Sequence, residues 1–255
     1  MQHRTAVRLA AAGLAIVVTF PSHAQVTQKP DGQWRSLFTA GASLASGNSD
    51  AKSASLGGDV IKLTSSDKWE FTGAGQYARS AGATTADHQA FTGLYNQDIT
   101  PQWYGFGQLD LVRDTPSDIA SRITPSSGLG YHVVKKPDQT FDVSAGLAYT
   151  WDRYRTPQVV DDELRSRYNH LELLLAEESN NKLSDTTTFK QKLTIYPSVS
   201  QGNGVRTVLD AGLSVAMTKE LALTATLSHR YDSDPGAGLK KNDTLFVTGV
   251  SLRFD

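Results

Sequence analysis

The chain has 255 residues, with 25 Lys and Arg against 26 Asp and Glu and no cysteine. Near-neutral charge leaves no electrostatic footprint for nucleic acid, and the lack of cysteine excludes disulfide staples and thiolate metal sites. A hydrophobic content of 39% suits a soluble domain and equally a barrel whose alternate residues face a polar interior, so the order of residues has to decide.

Residues 1–24 read as a cleavable export signal. His3, Arg4 and Arg8 give a positive start, Leu9 to Phe20 is an apolar run, and Ser22-His23-Ala24 places small residues before a cut ahead of Gln25. A membrane anchor would need roughly 20 apolar residues, and this run is shorter. Residues 25–255 then form one domain. No later stretch is long and apolar enough for a helical span, so a membrane role requires a closed barrel, which alone satisfies every strand backbone group in lipid.

Period-two alternation marks twelve segments: 34–46, 51–64, 69–79, 88–99, 103–112, 121–134, 140–154, 164–180, 186–197, 205–217, 221–231 and 243–254. In the third, Trp69, Phe71, Gly73, Gly75 and Tyr77 share one face, with Glu70, Thr72, Ala74, Gln76 and Ala78 on the other. The seventh sets Phe141, Val143, Leu147, Tyr149 and Trp151 against Asp142, Ser144, Thr150 and Asp152; the eleventh and twelfth repeat the pattern. Strict alternation over such lengths suits strands tilted across a bilayer. Asp59, Ile61 and Leu63 break the pattern of the second segment, which suggests a bulge or a rim position. In the eighth, Leu171, Leu173 and Leu175 favour a strand, while Leu174 and the surrounding Glu163, Glu172, Glu177 and Glu178 leave an amphipathic helix open.

The connections alternate in kind. Five tight polar turns, around Ser65–Lys68, Thr100–Gln102, Lys135–Asp138, Leu183–Asp185 and Thr218–Glu220, interleave with six longer ones, among them 80–87, 113–120, 155–163 and 232–241. Short periplasmic turns and longer outer loops are the expected asymmetry of an outer-membrane barrel. With the N-terminus inside, the longer set is extracellular. Trp34, Trp69, Trp103 and Phe254 then fall at inner strand ends, and Tyr77, Tyr149, Trp151 and Tyr231 at outer ends. Two belts one strand apart read as interfacial girdles. A soluble sandwich would scatter its aromatics through strand middles instead.

Several ordered stretches resemble one family: Gly47-Asn48-Ser49, Asp67-Lys68-Trp69, Trp103-Tyr104-Gly105-Phe106-Gly107, Gly128-Leu129-Gly130-Tyr131, Leu183-Ser184-Asp185-Thr186-Thr187, Tyr231-Asp232-Ser233-Asp234-Pro235, and Lys241-Asn242-Asp243-Thr244 before a terminal aromatic strand. Together they are similar to the salt-induced outer-membrane protein family, domain-of-unknown-function family 481. The resemblance implies an outer-membrane barrel without an assigned activity and carries over no catalytic residue. One departure is Asp255 after the final aromatic, where such barrels usually end on the aromatic itself.

Candidate chemistry is sparse. His88 follows Asp87 in an expected outer loop, and His229 lies near Asp232 and Asp234, so a rim-sited hydrolase is one reading. Ser228 adjoins His229, but strand neighbours point to opposite faces. Asp232-Ser233-Asp234-Pro235-Gly236 has alternate carboxylates as calcium loops do, yet a Pro/Gly turn explains it more simply. The alternation places Glu70, Asp110, Arg122, Asp142, Asp152, Glu172, Lys190, Lys192, Arg206, Asp210, Arg230 and Arg253 inside, acidic on earlier strands and basic on later ones. Such charges either plug the lumen as ion pairs or line a small pore as opposed rows. The expectation is therefore an all-β, antiparallel, up-and-down transmembrane β-barrel of about twelve strands. It carries no catalytic or metal site and no cofactor, lives in the outer membrane as a monomer, and meets only lipid and the barrel-assembly machinery. Its role would be structural or that of a narrow pore, linked to osmotic stress by the resemblance alone; a periplasmic β-sandwich that binds a partner is a further alternative.

Overall fold

Alternation leaves each segment with one face suited to hydrocarbon and one to a polar interior, and in the computed structural model these segments pair in chain order until the last meets the first. Residues 29–45, 51–160, 163–200, 204–235 and 239–254 are described, apart from the side chains of 43–45, 51 and 245–247. The export signal expected over 1–24 and the motif Gly47-Asn48-Ser49 lie outside the described residues. Among the described residues the strands are β1 (Trp34–Ala45), β2 (Ala51–Leu63), β3 (Asp67–Ser80), β4 (Ala83–Asp98), β5 (Trp103–Asp114), β6 (Ile119–Lys135), β7 (Gln139–Val160), β8 (Glu163–Lys182), β9 (Thr187–Pro197), β10 (Val205–Ala216), β11 (Leu221–Asp232) and β12 (Asn242–Phe254). Every neighbour pair is antiparallel, and β1 pairs β12 from Ser36↔Phe254 to Ala40↔Val250. This short seam is pinned by a buried hydrogen bond of 2.8 Å between the Thr39 and Ser251 hydroxyls. One closed ring replaces the two stacked sheets that the sandwich alternative requires.

The outer surface carries the apolar residues. Phe38, Leu56, Leu129, Leu147, Leu173, Leu223, Val250 and Leu252 are all exposed. In water such a surface would be an association hazard; around a closed barrel it is the lipid-facing band of a transmembrane protein. Trp34, Trp69 and Trp103 are exposed near the end of the barrel that bears the tight turns. There Trp69 packs on Tyr95 at 4.4 Å, Trp103 on Tyr131 at 5.0 Å and Phe38 on Phe254 at 6.1 Å between ring centroids. Tyr77, Tyr149 and Trp151 are exposed towards the other end, whereas Tyr231 is half-buried and lies at the mouth of the lumen.

Two expectations change. The loops expected at 80–87 and 155–163 are largely strand: β3 and β4 join through Ala81 (φ 49°) and Gly82 (φ 79°), a two-residue turn with both residues left-handed, as a twisted hairpin favours. Likewise β7 runs on to Val160, because polar residues beyond the bilayer keep the ladder with β8 through Gln158↔Arg165 and Val160↔Glu163. Pro157, which has no N–H to give, falls in the register shift between Arg153 and Gln158. His88, the first residue of the expected fourth segment, thus lies well inside β4 rather than at the edge of a loop. The second strand has no phase break: Ser53, Ser55, Asp59 and Ile61 are all buried on the inner face, where Ile61 packs on Leu37. Residues 163–182 are strand, as the alternation of Leu171, Leu173 and Leu175 favours, and Leu174 points inward, buried among Leu94, Tyr104, Phe106, Ala148 and Tyr196.

That inner apolar cluster depends on glycine. Register sets Tyr104 opposite Gly130 and Phe106 opposite Gly128. A Cβ on Gly130 would overlap the Tyr104 ring, and one on Gly128 or Gly146 would meet the backbone of the facing strand. Gly130 and Gly128 make room for the two rings, while Gly128 and Gly146 let the β6 and β7 backbones approach closely.

Candidate functional site

The lumen is the site, and its two halves differ. From the outer rim, where Asp232, Pro235 and Lys240 line it, a cavity of about 1070 Å³ runs inward to Glu70, Glu178 and Lys190. Beside that floor lies a void of about 30 Å³, walled by Asn96, Tyr104, Phe106, Asp142 and Leu174, enough for a single water.

In the outer half, charged groups are tied in local networks. Arg122 on β6 grips Asp152 on β7 with Nε at 2.6 Å and Nη2 at 2.9 Å, a two-point pairing that fixes both side chains. Glu172 on β8 accepts from Thr150 at 2.7 Å and from Arg206 at 2.8 Å, with His170 Nε2 at 3.4 Å. Arg206 also lies over the Tyr196 ring at 4.3 Å. Asp110 and Asp210 have hydroxyl and amide donors instead: Thr92 and Gln108 for the first, Ser228 for the second. Near the rim a link crosses the lumen. Arg230 on β11 donates to His88 Nε2 on β4 at 3.1 Å, and His88 Nδ1 lies 3.2 Å from Asp114. Since guanidinium only donates, Nε2 is the acceptor and the ring proton sits on Nδ1, towards Asp114.

The inner half is filled. Glu70 and Lys68 on β3 meet Glu178 on β8 and Lys190 on β9 in a four-membered ion-pair cluster. Beside it stand the Tyr104–Phe106–Leu174 layer and, at the inner mouth, His132. His132 sits between Asp142 (2.7 Å) and Asp98 (3.1 Å) and stacks on Tyr104 with centroids 4.7 Å apart. Lys135 completes that network on Asp98 at 2.6 Å. At β1 the inward Arg35 is held by Asp31 from the incoming chain, at 2.5 and 2.9 Å. Those hydrogen bonds, with a further one from the Gln33 N–H, hold the Asp31 carboxyl down at about 2.

Of the twelve inward charges expected, ten line the large cavity: Glu70, Asp110, Arg122, Asp152, Glu172, Lys190, Lys192, Arg206, Asp210 and Arg230. Asp142 lines the small void, and Arg253 lies half-buried at the inner end of β12, outside both. The picture of opposed rows is replaced. Glu70 and Lys190 do meet across the barrel, but Arg122–Asp152 and Glu172–Arg206 pair with near neighbours on the same side. Lys68, Glu178, His132 and Tyr104 are not among the expected lumen residues. Lys68 reads as part of a turn and Glu178 lies in a segment where a helix stays open beside the favoured strand, yet both share parity with inward partners, Glu70 and Glu172. Extending the alternation into the turns finds them.

The hydrolase geometry is not assembled. His88 is buried between Asp114 and Arg230, while His229 is on the exterior-facing parity and bonds Thr244 Oγ1 at 2.7 Å. Asp232 accepts the Asp234 N–H at 3.0 Å, the internal bond of a polar turn.

No curated protein matches the chain. Among solved structures, the NanC porin is similar at 14% identity over 86% of this chain and 96% of its own, with a TM-score of 0.46. The translocator domain of the autotransporter NalP from Neisseria meningitidis is similar at 13% identity over 90% of each chain, also at 0.46. The KdgM porin, solved with disordered oligogalacturonate, is similar at 9% identity over 88% of this chain and 100% of its own, at 0.40. A family model matches residues 38–254, and with that span of the barrel accounted for the chain belongs to the family described as protein of unknown function, DUF481.

Proposed function

We propose that the chain is exported, inserted into the outer membrane by the barrel-assembly machinery, and acts there as a monomeric, passive and narrow pore rather than as an enzyme. The observation that carries this reading is the cavity of about 1070 Å³, which enters from the outer rim and stops on a floor of side-chain contacts. No described strand crosses the lumen, so conduction needs only side chains to move. Eleven carboxylates against seven Lys and Arg line this cavity among the described residues, which favours cations over anions. A role in osmotic stress rests on the family likeness alone.

Purified barrel in planar bilayers is expected to give small discrete current steps, with permeation limited to small solutes. Silence at every salt concentration and voltage would sink the proposal. A second reading, a non-conducting structural barrel, is favoured by the apolar layer around Leu94, Tyr104, Phe106 and Leu174, and that silence is its signature. Recovery in the inner-membrane or soluble fraction would contradict the proposed location.

A further inference from the structure

The four-membered cluster at the floor of the cavity has a property that an ordinary buried ion pair lacks. In a ring of twelve strands, β3 and β9 are six strands apart in either direction, so they face each other across the lumen. Lys190 on β9 donates to Glu70 on β3 at 3.0 Å, and Lys68 on β3 stands 3.6 Å from Glu178 on β8. These two contacts bridge opposite walls. Two others stay on one wall: Lys68–Glu70 at 2.8 Å, two residues apart on β3, and Lys190–Glu178 at 3.4 Å between neighbouring strands.

Breaking a buried ion pair by removing one partner is costly because it strands a charge. Parting the walls here strands none. Lys68 keeps Glu70, and Lys190 keeps Glu178, with Lys192 as the register partner of Glu178. The crossing contacts are exchanged for water while the same-wall contacts persist. That is the energetic shape of a two-state element: closed with four contacts, open with two neutralised walls.

We propose that the Lys68–Glu70–Glu178–Lys190 cluster is the gate of the barrel, shut by its two cross-lumen contacts and opened by their exchange for the same-wall pairs. The proposal rests on the pore reading. It assigns closure to charge complementarity between walls, and to Tyr104 and Phe106 the narrower task of filling the space beside the gate.

Reversing one wall tests it. K68E/E70K preserves the same-wall pair but sets an ammonium at position 70 against Lys190 and a carboxylate at position 68 against Glu178. Folded protein, scored by heat-modifiable gel migration, is expected to show a severalfold higher open fraction in bilayer recordings. Reversing the other wall as well, with E178K/K190E, is expected to return the open fraction to that of the parent chain. Should the reversed wall not fold, K68Q/E70Q, which removes both cross-lumen contacts and leaves Lys190 its same-wall partner Glu178, carries the same expectation of increased opening. A folded K68E/E70K that conducts like the parent chain overturns the gate, as does a four-residue reversal no more closed than the two-residue one. Y104A/F106A separates the gate from the pore. Conduction there, with no response in the charge variants, overturns the gate alone; silence in every variant overturns the pore and the gate together.

Discussion

The outer and inner halves of the lumen are built on the same twelve strands with the same alternation, yet one is hollow and the other full. In the outer half, inward positions carry charged groups held mostly against their own wall, such as Arg122 on Asp152 and Arg206 on Glu172, with Arg230 reaching across to His88 at the rim, and the space below that link stays open to water. In the inner half, Tyr104 and Phe106 lie over Gly130 and Gly128, and Glu70 reaches Lys190 from the opposite wall. Strand number sets how much room a barrel encloses; side-chain reach, and whether a partner sits beside or opposite, sets how much of it is used.

That contrast can be broken from either end. The largest effect is expected from Phe106→Ala or Tyr104→Ala, which should each cost about 3–5 kcal/mol of folded-state stability by leaving a cavity among Leu94, Leu174 and Tyr196, read as a lower denaturant midpoint of the heat-modifiable form. In bilayers the same variants should pass larger currents. Next comes Gly146→Val, where the added carbons meet the Ser127 backbone; overpacking there should cost on the order of 3 kcal/mol, with unchanged stability arguing against the close β6–β7 approach. In the outer half, Asp152→Ala leaves the Arg122 guanidinium without its two-point partner and should cost about 3 kcal/mol, a loss that Arg122→Met in the same chain should largely relieve.

A gentler test sharpens the contrast without unfolding anything. If the hollow half sets selectivity, a salt gradient should give a cation-selective reversal potential, and Asp110→Lys, at a carboxylate held by Thr92 and Gln108, should move it towards anions. The smallest effect concerns the rim. Burial pushes the Asp118 carboxyl up, but hydrogen bonds from Thr156 and Gln158 outweigh it and hold the group below its ordinary value of 3.8. A depressed carboxylate contributes stability in full above its unfolded value and loses it as the pH falls through its folded value. Proteolysis of the β7–β8 tip should therefore quicken only at pH below 3.8, and Asp118→Asn should make it independent of pH in that range.

Much of the barrel is legible in the sequence because strand alternation is a local property. The alternation predicts a strand over 34–46 and the structure has Trp34–Ala45; it predicts 221–231 and the structure has Leu221–Asp232. The lumen is legible only as a set of residues. Alternation says that Glu70 and Lys190 point inward, but not that they share a level, because level depends on tilt and stagger between strands far apart in the chain. The same blindness hides the place of His88. Its neighbours Thr84, Thr85 and Asp87 look like loop residues, yet the two-residue turn at Ala81-Gly82 lets β4 begin at Ala83 and carries the imidazole to Arg230. Gly128, Gly130 and Gly146 look in the sequence like any other small residues of strand middles; their value lies in what the facing ring and backbone require.

The short seam between β1 and β12 carries a consequence for how the barrel is made. Its two strands are the first and last of the fold, so no hairpin brings them together, and the ring stays an open sheet until the chain is complete. Closure is thus the contact with the greatest loop entropy to overcome, and it rests on few ladder pairs. The Thr39–Ser251 hydroxyl bond forms only when the arriving strand stands in the register Thr39↔Ser251. Losing one hydroxyl should weaken the finished barrel by about 1 kcal/mol and lengthen the time during which both edges remain bare, read as slower appearance of the heat-modifiable form on refolding.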